Sequence, residues 1–391
     1  FFFHAHAGIR DAQESRGLGD VYKRQTGVRM KKLLLLLFLS SSAFADYTFL
    51  IPQKVGGGTS VWASIVAKEL EKELDGERIS LLHLPSARGI GGFNKFHSQY
   101  KDRDDMIMVS HGGNGISYLQ ENVDYDYRDY ESIGLMNLDI IVGRLKGDPR
   151  KISFAFGSGQ VPEAMAITML ESGIDNSVDL AIAWFKENVT WVKGMKGSER
   201  RLAFKRGELN VTRENPAAYK KHVEGFANAE VWFTHGLLAE DGSHVDDPNY
   251  PNKQFEILFE KKWGREPEGA FYNSYKLAKS FRDGLQKALW VHKNNPNKEI
   301  LRDALTRMNE NPESVEIIKN KVGNYEWVIG EDGNAFRDKL MTFINPTSLM
   351  FLVKFNQEAL DLKSVLKTWL YEDYIIPIAP EPSDEYLMVM K

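Results

Sequence analysis

The sequence contains no cysteine among its 391 residues. This absence excludes thiol nucleophiles, disulfides, thiolate zinc sites and cysteine-ligated iron–sulfur clusters. There is also no basic excess, since 50 lysines and arginines stand against 54 aspartates and glutamates, for a net charge of −4. Nucleic acid is therefore not expected as a partner, because a phosphate backbone attracts clustered positive charge. The length and the 42% hydrophobic content indicate a globular chain of two or three domains.

Long apolar runs are missing as well. The most apolar segment, Leu33 to Leu39, is far shorter than the ~20 residues that a membrane-spanning helix needs. Lys31 and Lys32 precede this segment, and Ala43-Phe44-Ala45 follows it as a small-residue cleavage site. Residues 30–45 are therefore predicted to be a secretory signal peptide, with an uncleaved anchor as the alternative. The mature protein is expected in the periplasm.

Three short apolar runs are each followed by a glycine-rich loop and then by a helical pattern. The runs are Tyr47 to Ile51, Ile79 to Leu84 and Met106 to Val109. Similar units begin at Ile152 to Phe156 and at Val189 to Lys193. This order is typical of βαβ sheets, in which ligands bind beyond the carboxyl ends of the strands. One pocket assembled from several loops is predicted.

These loops carry the candidate binding residues. A glycine loop that opens a helix presents unpaired N–H groups and the positive end of the helix dipole, both of which favour an anion. Thr59 or Ser60 is expected to cap the first of these helices. The predicted ligand-binding residues are Gly57, Gly58, Thr59, Ser60, Ala87, Arg88, Gly89, Ser110, His111, Gly112, Gly157, Ser158, Gly159 and Gln160.

Sequence signatures of catalysis are scarce. The chain has no G-x-x-x-x-G-K-[ST] loop, no G-x-S-x-G elbow and no H-E-x-x-H pair, so no catalytic residue, cofactor or metal is predicted. His111-Gly112-Gly113 resembles the oxyanion-hole loop of esterases. An exported serine hydrolase that uses Ser158 and His111 is therefore the alternative hypothesis.

The helical patterns concentrate in the last third of the chain. Helices are predicted from Phe271 to Lys293 and from Lys298 to Met308, and a further one carries an apolar stripe from Leu352 to Trp369. Glu331 to Asn334 is expected to be a turn. The predicted division of the chain is a non-native leader at 1–29, the signal peptide at 30–45, an α/β domain at 46–143, a second α/β domain at 144–270, and a helical region at 271–391 that partly returns to the first domain.

Several motifs in the first half of the mature chain resemble one known family. Leu50-Ile51-Pro52 through Gly56-Gly57-Gly58-Thr59-Ser60-Val61 is similar to the P-G-G-G-T-D motif of the substrate-binding proteins of tripartite tricarboxylate transporters, the TctC/Bug family. Pro85 to Gly89 with Gly92, Tyr125 to Gly134, and Val192-Lys193-Gly194 resemble further motifs of that family, in the same order.

The resemblance implies an α/β, two-domain periplasmic-binding-protein-like fold with a βαβ sheet in each domain and the ligand cleft between them. It implies a non-enzymatic, monomeric protein that closes on a small carboxylate held by backbone amides and ordered water. The loaded protein then delivers the carboxylate to integral-membrane carrier subunits. Arg88 is a candidate partner for a second carboxylate, with a surface arginine at the domain rim as the alternative. A receptor that presents its ligand to a sensor protein is a further alternative.

Overall fold

The computed structural model describes residues 47–120, 123–156, 158–195, 197–239 and 243–366. The predicted leader and signal peptide lie outside these residues. The described residues belong to one compact unit. Within the described residues, no helix combines the length and the apolar character that crossing a membrane requires.

The strands match the apolar runs found in the sequence. Five predicted strands are confirmed, at Tyr47–Ile51, Ile79–His83, Met106–Val109, Ile152–Phe156 and Val189–Lys193. The described strands are β1 (Tyr47–Ile51), β2 (Ile79–His83), β3 (Met106–Val109), β4 (Tyr130–Met136), β5 (Ile141–Leu145), β6 (Ile152–Phe156), β7 (Val189–Lys193), β8 (Val211–Glu214), β9 (Ala229–Thr234), β10 (Leu237–Leu238), β11 (His244–Val245), β12 (Lys287–His292) and β13 (Trp327–Ile329).

The helices follow the strands in the order expected of an α/β protein. Short 3-10 turns occupy Ala87–Gly89, Tyr127–Asp129 and Ser158–Gln160. The described helices are α1 (Gly58–Glu71), α2 (Ile90–Gln99), α3 (Gly112–Gln120), α4 (Val161–Ser172), α5 (Val178–Asn188), α6 (Gly197–Lys205), α7 (Pro216–His222), α8 (Phe255–Trp263), α9 (Ala270–Gly284), α10 (Lys298–Glu310), α11 (Pro312–Lys321), α12 (Gly330–Met341) and α13 (Pro346–Glu358).

The largest sheet has six strands in the order β13-β4-β12-β3-β1-β2. β1 pairs in parallel with both β2 and β3, so the loops that follow these three strands leave from one edge of the sheet. β12 is antiparallel to β3 and β4, and β13 is antiparallel to β4. Two of the six strands, β12 and β13, thus come from the C-terminal third of the chain.

Helices cover both faces of the six-stranded sheet. Along β1, Phe49 and Ile51 point to one face and Leu50 to the other, as the alternation of a strand requires. Trp62 and Val66 of α1 pack on the first face together with residues of α10. Because both faces are buried, the central strands carry apolar residues at nearly every position.

The remaining strands form smaller sheets. β8, β5 and β9 make an antiparallel three-stranded sheet. β6 and β7 form a parallel pair, and α4 and α5 connect these two strands in the chain. The Asn210 side chain joins these two smaller sheets. It precedes β8, and its Oδ1 accepts the N–H of Ser153 on β6 at 2.7 Å. The chain passes from the large sheet to the three-stranded sheet between Met136 and Ile141. The domain boundaries given above stay predictions.

A buried aspartate joins the two segments through which the chain passes between these sheets. Asp139 lies between β4 and β5, and its Oδ1 accepts N–H bonds from Ile140 and His235 at 2.6 and 3.0 Å. Its Oδ2 accepts the Gly236 N–H at 3.0 Å, in the segment between β9 and β10. The outward and returning crossings are therefore held together by one carboxyl group.

One predicted helix is wrong over its second half. The segment from Phe271 to Lys293 forms α9 only as far as Gly284, and Lys287–His292 is strand β12. Five of the six β12 residues are buried, so the strand lacks the polar–apolar alternation that marks a half-exposed strand. A continuous apolar run of this kind looks the same in a buried helix and in a central strand.

Two smaller predictions in the C-terminal third are also wrong. Glu331 to Asn334 lies in the first turn of α12 and is not a turn between elements. The Asn334 Oδ1 there accepts the Ser132 N–H at 2.8 Å, a contact across 202 residues of chain. The stripe from Leu352 leaves the helix after Glu358, and Asp361 takes a positive φ of 48° that interrupts it. Trp369 lies outside the described residues.

Candidate functional site

The first loop joins β1 to the start of α1. Gly57 is the N-cap of this helix and no side chain caps it, so the prediction that Thr59 or Ser60 caps the helix is wrong. The Ser60 Oγ instead accepts the Gly56 N–H at 3.3 Å and lies 2.9 Å from His83 Nε2. Val61 makes the first bond back along the helix, to the Gly57 carbonyl. The amides of the preceding residues therefore have no acceptor within the helix.

The second loop, which follows β2 and contains Arg88 and Gly89, touches the third loop, which follows β3 and contains His111. Gly89 has a positive φ of 76°, and a Cβ on it would lie 2.5 Å from His111 Nε2, so only glycine allows this approach. Arg88 also has a positive φ, of 56°, and its carbonyl accepts a bond from Asn114 Nδ2 at 3.4 Å. The sequence prediction thus brought together two loops that the structure places in contact.

The fourth loop reaches the third from a different sheet. It follows β6 as a 3-10 turn, Ser158–Gln160, and leads into α4. A Cβ on Gly159 would lie 4.0 Å from Gly113 Cα and 3.9 Å from Arg213 Nη2. A Cβ on Gly58 would lie 3.3 Å from Asn215 Nδ2. The large sheet and the smaller sheets therefore meet at these loops. Gly157 lies outside the described residues.

The Ser110 hydroxyl serves the fold. It donates to the Leu285 carbonyl at 2.9 Å and accepts the Trp290 Nε1–H at 3.1 Å, and Ser110 is fully buried. These bonds join β12 to the end of β3. Its place among the ligand-binding residues stays a prediction that these bonds do not support. Gly112 packs nearby, because a Cβ on it would lie 2.7 Å from Arg282 Cγ.

His111 is poorly placed as a general base. Burial, together with the charges of Lys287 and Arg213, lowers the pKa of His111 to about 3, so the ring is neutral at pH 7. Its Nδ1 lies 3.0 Å from the Gly113 N–H and accepts from it. The unprotonated nitrogen that a general base needs is therefore already engaged. This geometry gives no support to the serine hydrolase hypothesis.

Lys287 is a site residue that the sequence analysis missed, because its segment was taken for a helix. It begins β12, is 4% exposed, and donates from Nζ to Thr59 Oγ1 at 3.1 Å and to the Gln286 carbonyl at 3.5 Å. Among the described residues no carboxylate forms a salt bridge with it. Burial and the nearby charge of Arg213 lower the pKa of Lys287 to about 7.

Arg213 is a second residue that no sequence motif indicated. It lies on β8, and its Nε is 3.6 Å from Glu163 Oε1 without a hydrogen bond. The same carboxylate oxygen accepts from Arg282 Nη1 at 2.5 Å, and Arg282 also pairs with Asp283 through two further nitrogens. Two arginines and two carboxylates therefore balance, while Lys287 adds a positive charge that no carboxylate of the described residues pairs with.

Other buried polar residues lie close to the charged cluster of Arg213, Glu163 and Arg282. Lys279 of α9 is fully buried but forms a salt bridge with Glu256 at 3.0 Å. His235 is fully buried, and burial together with neighbouring cations holds its pKa well below the usual range. Within the part of the chain that the structure describes, no three His, Asp or Glu side chains gather as a metal site would require.

The fold is that of the periplasmic binding proteins, and in particular that of the Bug/TctC type. Neither a protein-family model nor a curated protein matches the sequence. Solved structures do match the fold. The periplasmic binding protein BugD shares 13% identity, with a TM-score of 0.51, over 80% of this chain and 97% of its own.

Two Rhodopseudomonas palustris structures are similar to the same degree. Rpa4515 with adipate shares 12% identity with a TM-score of 0.54, and covers 81% of this chain and 97% of its own. MatC with bound malate shares 13% identity with a TM-score of 0.50, and covers 79% of this chain and 98% of its own. The predicted α/β, two-domain binding-protein fold and the family resemblance are confirmed at the level of the fold.

Proposed function

We propose that this protein is a periplasmic solute-binding protein that captures a small organic acid for a tripartite tricarboxylate-type transporter. The observation that carries the proposal is the uncapped start of α1, where Lys287 of β12 donates to Thr59 and Asn215 approaches Gly58 from beside the three-stranded sheet. The amides of Gly58, Thr59 and Ser60 face this point without acceptors in the helix. A helix start of this kind favours a carboxylate.

The similar structures support this choice of ligand class. Malate and adipate, bound in two of them, are both small dicarboxylates. The proposed role is binding and delivery without catalysis, because a pKa of about 3 makes His111 a weak base and its Nδ1 already accepts the Gly113 N–H. The protein would act as a monomer and dock on the integral-membrane carrier subunits. Arg88 and the other predicted loop residues belong to the proposed binding site, apart from Ser110, whose hydroxyl is engaged within the fold.

The first test is binding by the chain that starts at Asp46. Native mass spectrometry would detect a co-purified acid, and thermal-shift titration with acetate, malate, adipate and citrate would find the class. A ligand at a hundredfold excess over its Kd stabilises a protein by about 2.7 kcal/mol, which raises the melting temperature measurably. Stabilisation by sugars or amino acids, with none by any carboxylate, would contradict the proposal.

The second test addresses the first loop. The double variant Thr59→Val with Ser60→Ala is expected to weaken binding of the stabilising acid by about tenfold or more, since hydrogen bonds to a charged group are lost. Ser64→Ala is the matched control, because its hydroxyl lies one turn further along α1 and donates only to the Ser60 carbonyl. Unchanged affinity in the double variant would count against this loop.

A further inference from the structure

Lys287 is buried at the proposed binding point, and none of the carboxylates that the structure describes is its partner. An ammonium group is costly to bury unless an opposite charge compensates it. Its two acceptors, the Thr59 hydroxyl and the Gln286 carbonyl, are neutral. A buried ammonium group with only neutral acceptors does not stabilise the fold. A ligand with a negative charge would compensate the charge of Lys287.

The surrounding contacts show where that charge would lie. Thr59, which accepts from Lys287, is in the first turn of α1, the same turn whose amides lack acceptors. Gly58 in this turn meets Asn215, two residues after Arg213, across from the other sheet. An anion at the start of α1 therefore lies between a cation from the six-stranded sheet and a cation from the three-stranded sheet.

We propose that Lys287 forms the direct ion pair with the carboxylate of the ligand, with Arg213 as a second cation from the opposite sheet. This inference rests on the proposed function and adds a specificity determinant to it. The site then accepts a small acid by its charge and rejects the neutral isostere. Because the two cations come from different sheets and repel each other, the anion also joins the two sheets when it binds.

Arg213 contributes less than Lys287 in this arrangement. Its guanidinium already lies 3.6 Å from the Glu163 carboxylate, which Arg282 shares. Lys287 has no such partner among the described residues, so the ligand is its counter-charge. Removal of Lys287 should therefore cost more affinity than removal of Arg213, and the order of the two effects is itself a test.

The experiment compares adipate with adipamide, its neutral isostere, by isothermal titration calorimetry on the chain from Asp46. Lys287→Met is expected to weaken adipate binding by about tenfold or more and to lower the adipate-to-adipamide preference by a similar factor. Malate and citrate serve as the acidic probes if adipate does not bind. Arg213→Met should show the same change with a smaller size.

Lys279→Met is the matched control, because Lys279 is an equally buried lysine that has the Glu256 carboxylate as its partner. It should lower the melting temperature of the free protein and leave the preference for the charged ligand unchanged. Lys287→Met should raise the melting temperature of the free protein, which also verifies that this variant folds.

The outcomes separate this inference from the proposed function. A wild-type protein that binds a carboxylate while Lys287→Met keeps the same affinity and the same preference would overturn the inference alone. A wild-type protein that binds none of the acidic probes would overturn the proposed function and the inference with it. Loss of preference in Lys279→Met as well as in Lys287→Met would show a general effect of core disruption and would also overturn the inference.

Discussion

The Lys287 ammonium group donates a hydrogen bond to the Thr59 hydroxyl at 3.1 Å, across 228 residues of chain. The bond joins the start of β12 to the first turn of α1. It places a buried positive charge at the uncapped start of α1. The same contact therefore connects the fold of the large sheet to the proposed function.

The stability of the free protein should depend on the ionisation of Lys287. Burial lowers its folded pKa to about 7, well below the ordinary lysine value, so the charged form destabilises the fold below pH 7. The penalty disappears as the pH rises from 7 toward 10, because the folded protein then holds a neutral amine while the unfolded chain stays protonated. Lys287→Met is expected to be more stable than wild type by about 2 to 4 kcal/mol at pH 6.

Urea unfolding of both proteins at pH 6, 7, 8 and 9 would measure this difference. The gap between the variant and wild type should shrink by at most about 1.4 kcal/mol per pH unit above pH 7. A constant gap across this range would show that Lys287 does not titrate in the folded protein.

Ligand binding should take up a proton above pH 7. A bound carboxylate raises the pKa of the Lys287 amine, which is about 7 in the free protein. Adipate itself stays ionised in this range, so its affinity should fall above pH 7 by up to about tenfold per pH unit. Calorimetry at pH 8 in HEPES and in Tris would count the protons, and Lys287→Met should take up none.

A methyl group at Gly115 should break the packing of α3 on α9. A Cβ there would lie 2.1 Å from the Phe281 carbonyl oxygen, which is backbone and cannot move aside as a side chain would. Gly115→Ala is therefore expected to cost about 3 kcal/mol or more of unfolding free energy. In Gly225→Ala, the control, the new Cβ meets nothing within 4 Å. Equal denaturation midpoints for the two variants would contradict this account.

Asp139→Asn should loosen the connection between the two crossing segments. An amide would lose one acceptor and face an N–H donor with another donor, since both Asp139 oxygens accept backbone N–H bonds. The expected cost is about 2 to 3 kcal/mol in thermal or chemical unfolding. Asp303→Asn, an exposed position on α10, should change stability by less than about 0.5 kcal/mol. Hydrogen exchange at His235 and Gly236 would locate the effect.

The sequence was sufficient where structure is local. The runs from Tyr47 to Ile51 and from Met106 to Val109 formed strands as predicted, because short apolar runs between glycine loops leave few alternatives. The convergence of their loops followed from parallel pairing, which the βαβ order implied. The loops at Gly89 and His111 were placed in one predicted site and lie in contact.

The sequence was insufficient where a segment depends on distant partners. Lys287 to His292 became a strand because β3 and β4 offered it hydrogen bonds on both sides. Asn334 lies in helix α12, although the residues around it resemble a turn, and its Oδ1 accepts the Ser132 N–H. The local order of polar and apolar residues indicates neither outcome, because the hydrogen-bond partners that decide them are distant in the chain.

Local pattern alone therefore determined the α/β class and the glycine loops, and it led to the proposal of an anion site, because these follow from strand length, helix starts and backbone amides. Only the tertiary structure decided which charges are compensated. Glu163 pairs with Arg282 and Glu256 with Lys279, while Lys287 is left with neutral acceptors. The physical reason is that the energy of a buried charge depends on what lies within a few ångströms of it in space, and the sequence separates those groups by many residues.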